Sequence, residues 1–142
     1  MRATNRKLFL LITAFVEAAT GFCLLLLPDV VFRLLLGVEQ ATAEAILVGR
    51  IAGAALLAIG VASWLARADA STPAQRGLLT GILIYDAAAS MLLAFAGAVL
   101  KLIGALLWPA VALHAILAIW CLGCLRPDRI ARGSRGEAVD RR

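Results

Sequence analysis

The sequence predicts an all-α protein, an integral membrane four-helix bundle with both termini cytoplasmic and a short interfacial helix between spans one and two. Three observations predict it. The 142-residue chain is 63% hydrophobic, with a mean hydropathy of +0.94, well beyond the roughly half-apolar make-up of a soluble domain. Most of its 14 basic and 9 acidic residues are segregated into the first seven positions, the loops and the tail after Leu125. Between them lie apolar windows long enough, at about 1.5 Å per residue, to cross a hydrocarbon core of about 30 Å.

The first window, Leu8–Leu27, follows basic Arg2, Arg6 and Lys7 and so imitates a signal peptide. A cleaved leader would end its apolar core at the small residues "EAATG". This one resumes with "FCLLLL" and is read as a retained first span. Pro28 ends it. The following "PDVVFRLLLG", interrupted by Arg33, is too short to cross and is expected to lie at the outer interface.

Span two is Ala45–Ala66, followed by the polar turn-forming loop "ARADASTPAQR". Spans three and four, Leu78–Ala98 and Leu102–Leu125, run almost together. Their joint length demands a reversal, for which Gly97, Lys101 and Gly104 are the available punctuation, so a very tight hairpin is expected. Residues 1–125 form a single transmembrane domain. Residues 126–142 are expected to be a basic, disordered cytoplasmic tail.

Lys and Arg set the orientation. The N-terminus, the 67–76 loop and the tail carry three, two and six of them, against Arg33, Arg50 and Lys101 on the other side. The positive-inside bias places both termini in the cytoplasm of a bacterial inner-membrane, multi-pass protein. Next to a span, the basic tail reads as an anchor to anionic lipid; no aromatic or motif context supports nucleic-acid binding.

Small residues four apart, Gly49–Gly53 and Gly77–Gly81, are expected to allow close helix packing. "EAATGFCLLL" and "DAAASMLLAF" echo one another as an acid, small residues and an apolar run in two spans of the same direction.

Inside the spans sit Glu17, Arg50, Asp86 and His114. Counting from the predicted cytoplasmic ends, Glu17 and Asp86 lie ~14 Å deep and His114 ~18 Å, whereas Arg50 lies ~24 Å up, nearer the outer surface. Helical spacing puts Thr13, Ala14, Thr20 and Gly21 beside Glu17, Ala89 and Ser90 beside Asp86, and Ala110 and Ala118 beside His114. These strips point inward, and Tyr85 and a kink at Pro109 would widen the space between them. A charge at the bilayer centre costs about 2.5–3.5 kcal/mol on insertion scales. Compensation is therefore expected: Asp86 pairing with His114, Glu17 protonated or hydrogen-bonded, and Arg50 reaching the surface or Glu44. The candidate ligand or proton site is Glu17, Tyr85, Asp86 and His114, with Arg50 as an outer-side contributor.

Other chemistries find no footing. Cys121 and Cys124 form a Cys-x-x-C at a cytoplasmic helix end, where thiols stay reduced, and Cys23 is too distant to serve them. The single histidine does not supply the two axial ligands of a b-type haem. There is no phosphate loop, nucleophile triad or local metal motif, so neither catalytic residues nor a metal site is expected. Trp64, Trp108 and Trp120 sit where interfacial anchors belong.

"GRIAGAALLAIGVASWLAR" and "LWPAVALHAILAIWC" resemble uncharacterised small bacterial four-span membrane proteins and, more loosely, the DoxX-type family. The resemblance covers most of residues 10–125 and implies association with membrane oxidoreductase or quinone systems, while carrying no functional residue with it. The leading functional expectation is a non-catalytic accessory or scaffold subunit of a membrane complex, or a homo-oligomer, in contact with the lipid bilayer. The alternatives are a quinone- or redox-linked protein using Asp86, His114 and Tyr85, with quinone the one cofactor entertained, and a small proton-coupled transporter acting as an oligomer.

Overall fold

The computed structural model describes residues 2–69 and 72–126 and is helical throughout its ordered elements. Five helices follow in order: α1 (Arg2–Leu26), α2 (Pro28–Leu36), α3 (Ala43–Ala66), α4 (Pro73–Ala98) and α5 (Leu107–Leu125). All but α2 are long and apolar enough to cross a membrane. Large apolar side chains are exposed on each of the four, among them Phe15, Phe22, Leu47, Ile51, Ile84, Leu92, Ile116 and Ile119. In water such a surface would be an association hazard; against lipid it is the ordinary outer face of a bundle. The tail from Pro127 onward, expected to be disordered, lies outside the described residues.

The four long helices form a ring in the order α1, α3, α4, α5, with α1 packed along α3 and α4 along α5. Neighbours in the ring are antiparallel. The α1–α3 seam is made of glycine: a Cβ on Gly21 would lie 2.6 Å from the Gly53 carbonyl oxygen, and one on Gly60 would lie 2.8 Å from the Ala18 nitrogen. Backbones therefore touch directly, the close approach that small residues permit in lipid. Gly49 belongs to the same face but receives the Phe32 ring of α2. Gly77 and Gly81 do not behave this way: nothing lies within 4 Å of where their Cβ atoms would be. Their four-residue spacing matches that of the packing pair, but they sit on an outward face of α4.

Helix ends differ from the sequence-predicted windows because polar turns can be helical beyond the apolar stretch. The α1 helix begins at Arg2, ahead of Leu8. Thr72 caps α4, accepting from the Gln75 N–H at 3.1 Å, with Pro73 in the first turn, so this helix starts five residues before Leu78. Thr42 caps α3 likewise.

The last hairpin is wider than expected. Residues 99–106 are all non-helical, and α5 starts at Leu107 instead of Leu102. Lys101 takes a left-handed φ of 59° and its Nζ donates to the Ala98 carbonyl at 2.7 Å. Gly97, expected to be turn punctuation, is inside α4 against Leu107 and Trp108. Pro109 falls in the first turn of α5, where its missing N–H has no intrahelical acceptor to lose. The expected kink is therefore not a Pro109 kink; this proline starts a helix.

The short α2 exists as predicted, and it clasps the far end of the bundle. Its C-cap Gly37 is left-handed at φ 74°. The Leu106 N–H donates to the Leu34 carbonyl at 2.8 Å, and Gly104 lies so close to Leu35 that a Cβ there would come within 2.2 Å of its carbonyl. At the opposite end, Phe9, Leu10, Leu79, Ile82, Leu117 and Cys121 form a closed apolar core.

Candidate functional site

Above that apolar core the bundle interior turns polar. Glu17, Asp86 and His114 each sit within a turn of the middle of α1, α4 and α5. Glu17 is 1% exposed and Asp86 is fully buried, while the His114 side chain retains 13% exposure. One oxygen of Glu17, one of Asp86 and one ring nitrogen of His114 all lie within 4.8 Å of one another. Because α1 and α4 stand diagonally in the ring, this meeting places the cluster on the bundle axis.

The expected pairing of Asp86 with His114 is present. The His114 Nδ1 and Asp86 Oδ1 atoms are 2.8 Å apart, with the carboxylate accepting. Tyr85, one residue from Asp86, places its ring edge-on to the imidazole, centroids 5.5 Å apart. Ser90, one turn further along α4, donates to the Val111 carbonyl at 3.2 Å and ties α4 to α5 beside the site. On the other side, the Cys121 thiol donates to the Leu79 carbonyl at 3.2 Å, closing the seam two turns below.

Compensation is incomplete. Glu17 Oε1, Asp86 Oδ2, Thr13 Oγ1 and Ser63 Oγ are buried without a hydrogen-bond partner. Unpartnered polar atoms are rare in protein interiors and cost about 1–3 kcal/mol each, more when charged. Thr13 lies one turn from Glu17 on α1. Ser63 comes from the α3 face that carries Gly49, Gly53, Leu56 and Gly60, one turn from the Gly60 contact with Ala14 and Ala18. Ser63 is not ionisable and so does not stand out in an apolar helix by charge. The clue was its register, since a polar residue continuing a four-residue glycine stripe faces the same partner helix.

Arg50 does not join the cluster. It is exposed, and among the described residues neither Glu17 nor Asp86 is ion-paired to a lysine or arginine. The site thus combines two buried carboxyl groups and an imidazole, with no lysine or arginine among the described residues paired to them. It presents acceptor oxygens, a ring nitrogen and an aromatic wall, all held by helices.

The cysteines take no part. Cys121 is buried, Cys124 half-buried and Cys23 exposed, all as free thiols. Trp120 donates to Asn5 Oδ1 at 3.0 Å and meets Phe9 edge-on, and Trp64 stacks under Arg67 at 3.6 Å. These contacts fasten helix ends.

No family model, no curated protein and no solved structure matches the chain.

Proposed function

We propose that this chain is a small multi-pass accessory protein of a bacterial cytoplasmic membrane, non-catalytic, whose mid-membrane cluster of Glu17, Asp86 and His114 holds a ligand. One observation carries the reading. Two carboxyl groups and an imidazole from three helices converge within 4.8 Å while Glu17 Oε1 and Asp86 Oδ2 remain unpartnered. A purely structural polar network satisfies its members, because a half-satisfied one is worse than an apolar core. A scaffold role alone leaves these oxygens without a reason to be there, whereas a bound ligand supplies their partner.

A second reading rests on Tyr85. Its ring stands edge-on to His114, itself bonded to Asp86, an arrangement suited to a flat aromatic head group such as a quinone. The resemblance to DoxX-type proteins favours the same redox-linked role. The transporter alternative needs an oligomer, and the open face at Gly77 and Gly81 suits the approach of a second copy's helix.

Purification in mild detergent, followed by mass spectrometry of co-purifying molecules, tests the proposal. Wild-type protein is expected to retain a ligand that Glu17→Gln and Asp86→Asn lose, with monodisperse elution and helicity unchanged. If wild type holds nothing and both variants merely reduce the folded yield, the cluster is structural and the ligand-site reading is wrong.

A further inference from the structure

We propose that the ligand at this site is a first-row divalent transition-metal ion, held by one oxygen of Glu17, one oxygen of Asp86 and one ring nitrogen of His114. The inference rests on the ligand-site reading and names its substrate class.

Three features point to a metal. The first is geometry. Donors spread over no more than 4.8 Å need shifts of under about 1 Å to surround an ion at 2.0–2.2 Å. Such shifts are within the reach of side-chain rotation on a fixed backbone.

The second is charge. When both carboxyl groups are ionised and the imidazole is neutral, they bring a formal charge of two minus, and no lysine or arginine among the described residues pairs with them. A divalent cation cancels that charge in full, at the depth where an uncompensated charge is most costly.

The third is the unpartnered atoms. Glu17 Oε1 and Asp86 Oδ2 belong to side chains 1% and 0% exposed. Asp86 Oδ1 and His114 Nδ1 already meet at 2.8 Å, and an ion bound there would take the place of the proton between them. Asp86 Oδ2 and Glu17 Oε1 have no other partner.

The donor set selects the class of ion. Two oxygens and one imidazole nitrogen suit manganese, iron, cobalt or zinc in the divalent state. They do not suit calcium or magnesium, which take all-oxygen shells, or copper(I), which takes sulfur. A local sequence motif would not reveal such a site, because its three ligands come from three helices.

Full-length protein in mild detergent, stripped with a chelator and exchanged into cobalt(II), gives the test. One Co²⁺ per chain is expected by elemental analysis, with visible absorption bands of a nitrogen–oxygen site. Stoichiometric Zn²⁺ should displace it and a large excess of Mg²⁺ should not. Glu17→Gln, Asp86→Asn and His114→Gln should each weaken Co²⁺ binding by about 100-fold or more, at or beyond the loss seen for second-shell changes. Cys121→Ser and Cys124→Ser should bind as wild type. Loss of metal only in the cysteine variants, or equal binding of Mg²⁺, overturns the metal assignment. A retained organic molecule lost in Glu17→Gln, with no stoichiometric metal, overturns it while leaving the ligand-site reading intact. Neither metal nor organic ligand in the wild type overturns both.

Discussion

His114 and Asp86 face each other across the α4–α5 seam at 2.8 Å, a hydrogen bond between a partly buried imidazole and a fully buried carboxylate. Its two ends are not equivalent. Asp86 has a second oxygen without a partner, whereas the ring keeps a margin of exposure.

Removing the ring therefore costs more than neutralising the acid. His114→Ala leaves Asp86 buried with neither oxygen bonded, a loss of about 3–5 kcal/mol by analogy with broken buried pairs. Asp86→Asn keeps an acceptor for the ring nitrogen and is expected to cost less than about 1.5 kcal/mol. Thermal unfolding in detergent reads the order; Asp86→Asn as the more damaging change would show that the carboxylate charge itself is stabilising.

Gly21 and Gly81 should respond oppositely to the same added methyl group. At Gly21 the new carbon would sit 2.6 Å from the Gly53 oxygen and 2.7 Å from the Leu57 nitrogen, both backbone atoms. Forcing α1 and α3 apart should cost at least about 1–3 kcal/mol, the usual range for overpacking. At Gly81 the space is open, so alanine should be neutral or stabilise the monomer by up to about 1 kcal/mol through helix propensity. A strongly destabilising Gly81→Ala would place a further helix against that face.

The α4–α5 reversal stores local strain at Lys101, a non-glycine residue at φ 59°. Lys101→Gly is expected to gain about 0.5–1 kcal/mol from the left-handed backbone, less the contribution of the Nζ bond to Ala98. Gly104→Ala should do the reverse, pushing the turn off Leu35 of α2. Proteolysis of the 99–106 segment provides the comparison, with faster cleavage expected for Gly104→Ala and slower for Lys101→Gly.

Thiol labelling should separate the three cysteines. Cys23 is exposed on α1 and should react first with a membrane-permeant alkylating reagent. Cys121 is fully buried and its thiol donates to Leu79, so it should stay unmodified until the bundle unfolds. Early modification of Cys121, read by mass spectrometry, would mean that the α4–α5 seam opens in the folded state.

Much of this architecture was legible in the chain. Apolar length marked the four long helices, and Pro28 with the short stretch interrupted by Arg33 marked the helix between the first two, because proline acts through the local backbone and so short a run cannot cross a membrane. The acids and histidine were legible too, as ionisable residues in a lipid-compatible setting stand out against their neighbours. The width of the last hairpin was not. Leu102–Leu106 is as apolar as a helix, and only the docking of Leu106 and Gly104 onto α2 holds it in a turn. Pro109 was legible as a helix disturbance but not as a helix start, for the same reason.

By itself, then, the sequence determined the four long apolar helices and where along them the polar residues fall, since both follow from one-dimensional quantities: apolar run length and rise per residue. Tertiary structure decided which of those residues meet. Glu17 and Asp86 are brought together by the glycine-mediated approach of α1 to α3 and the diagonal placement of α1 and α4, while Arg50 is turned outward and Gly77 and Gly81 face away. Helix rotation and ring order arise from contacts far apart in the chain, and no local period encodes them.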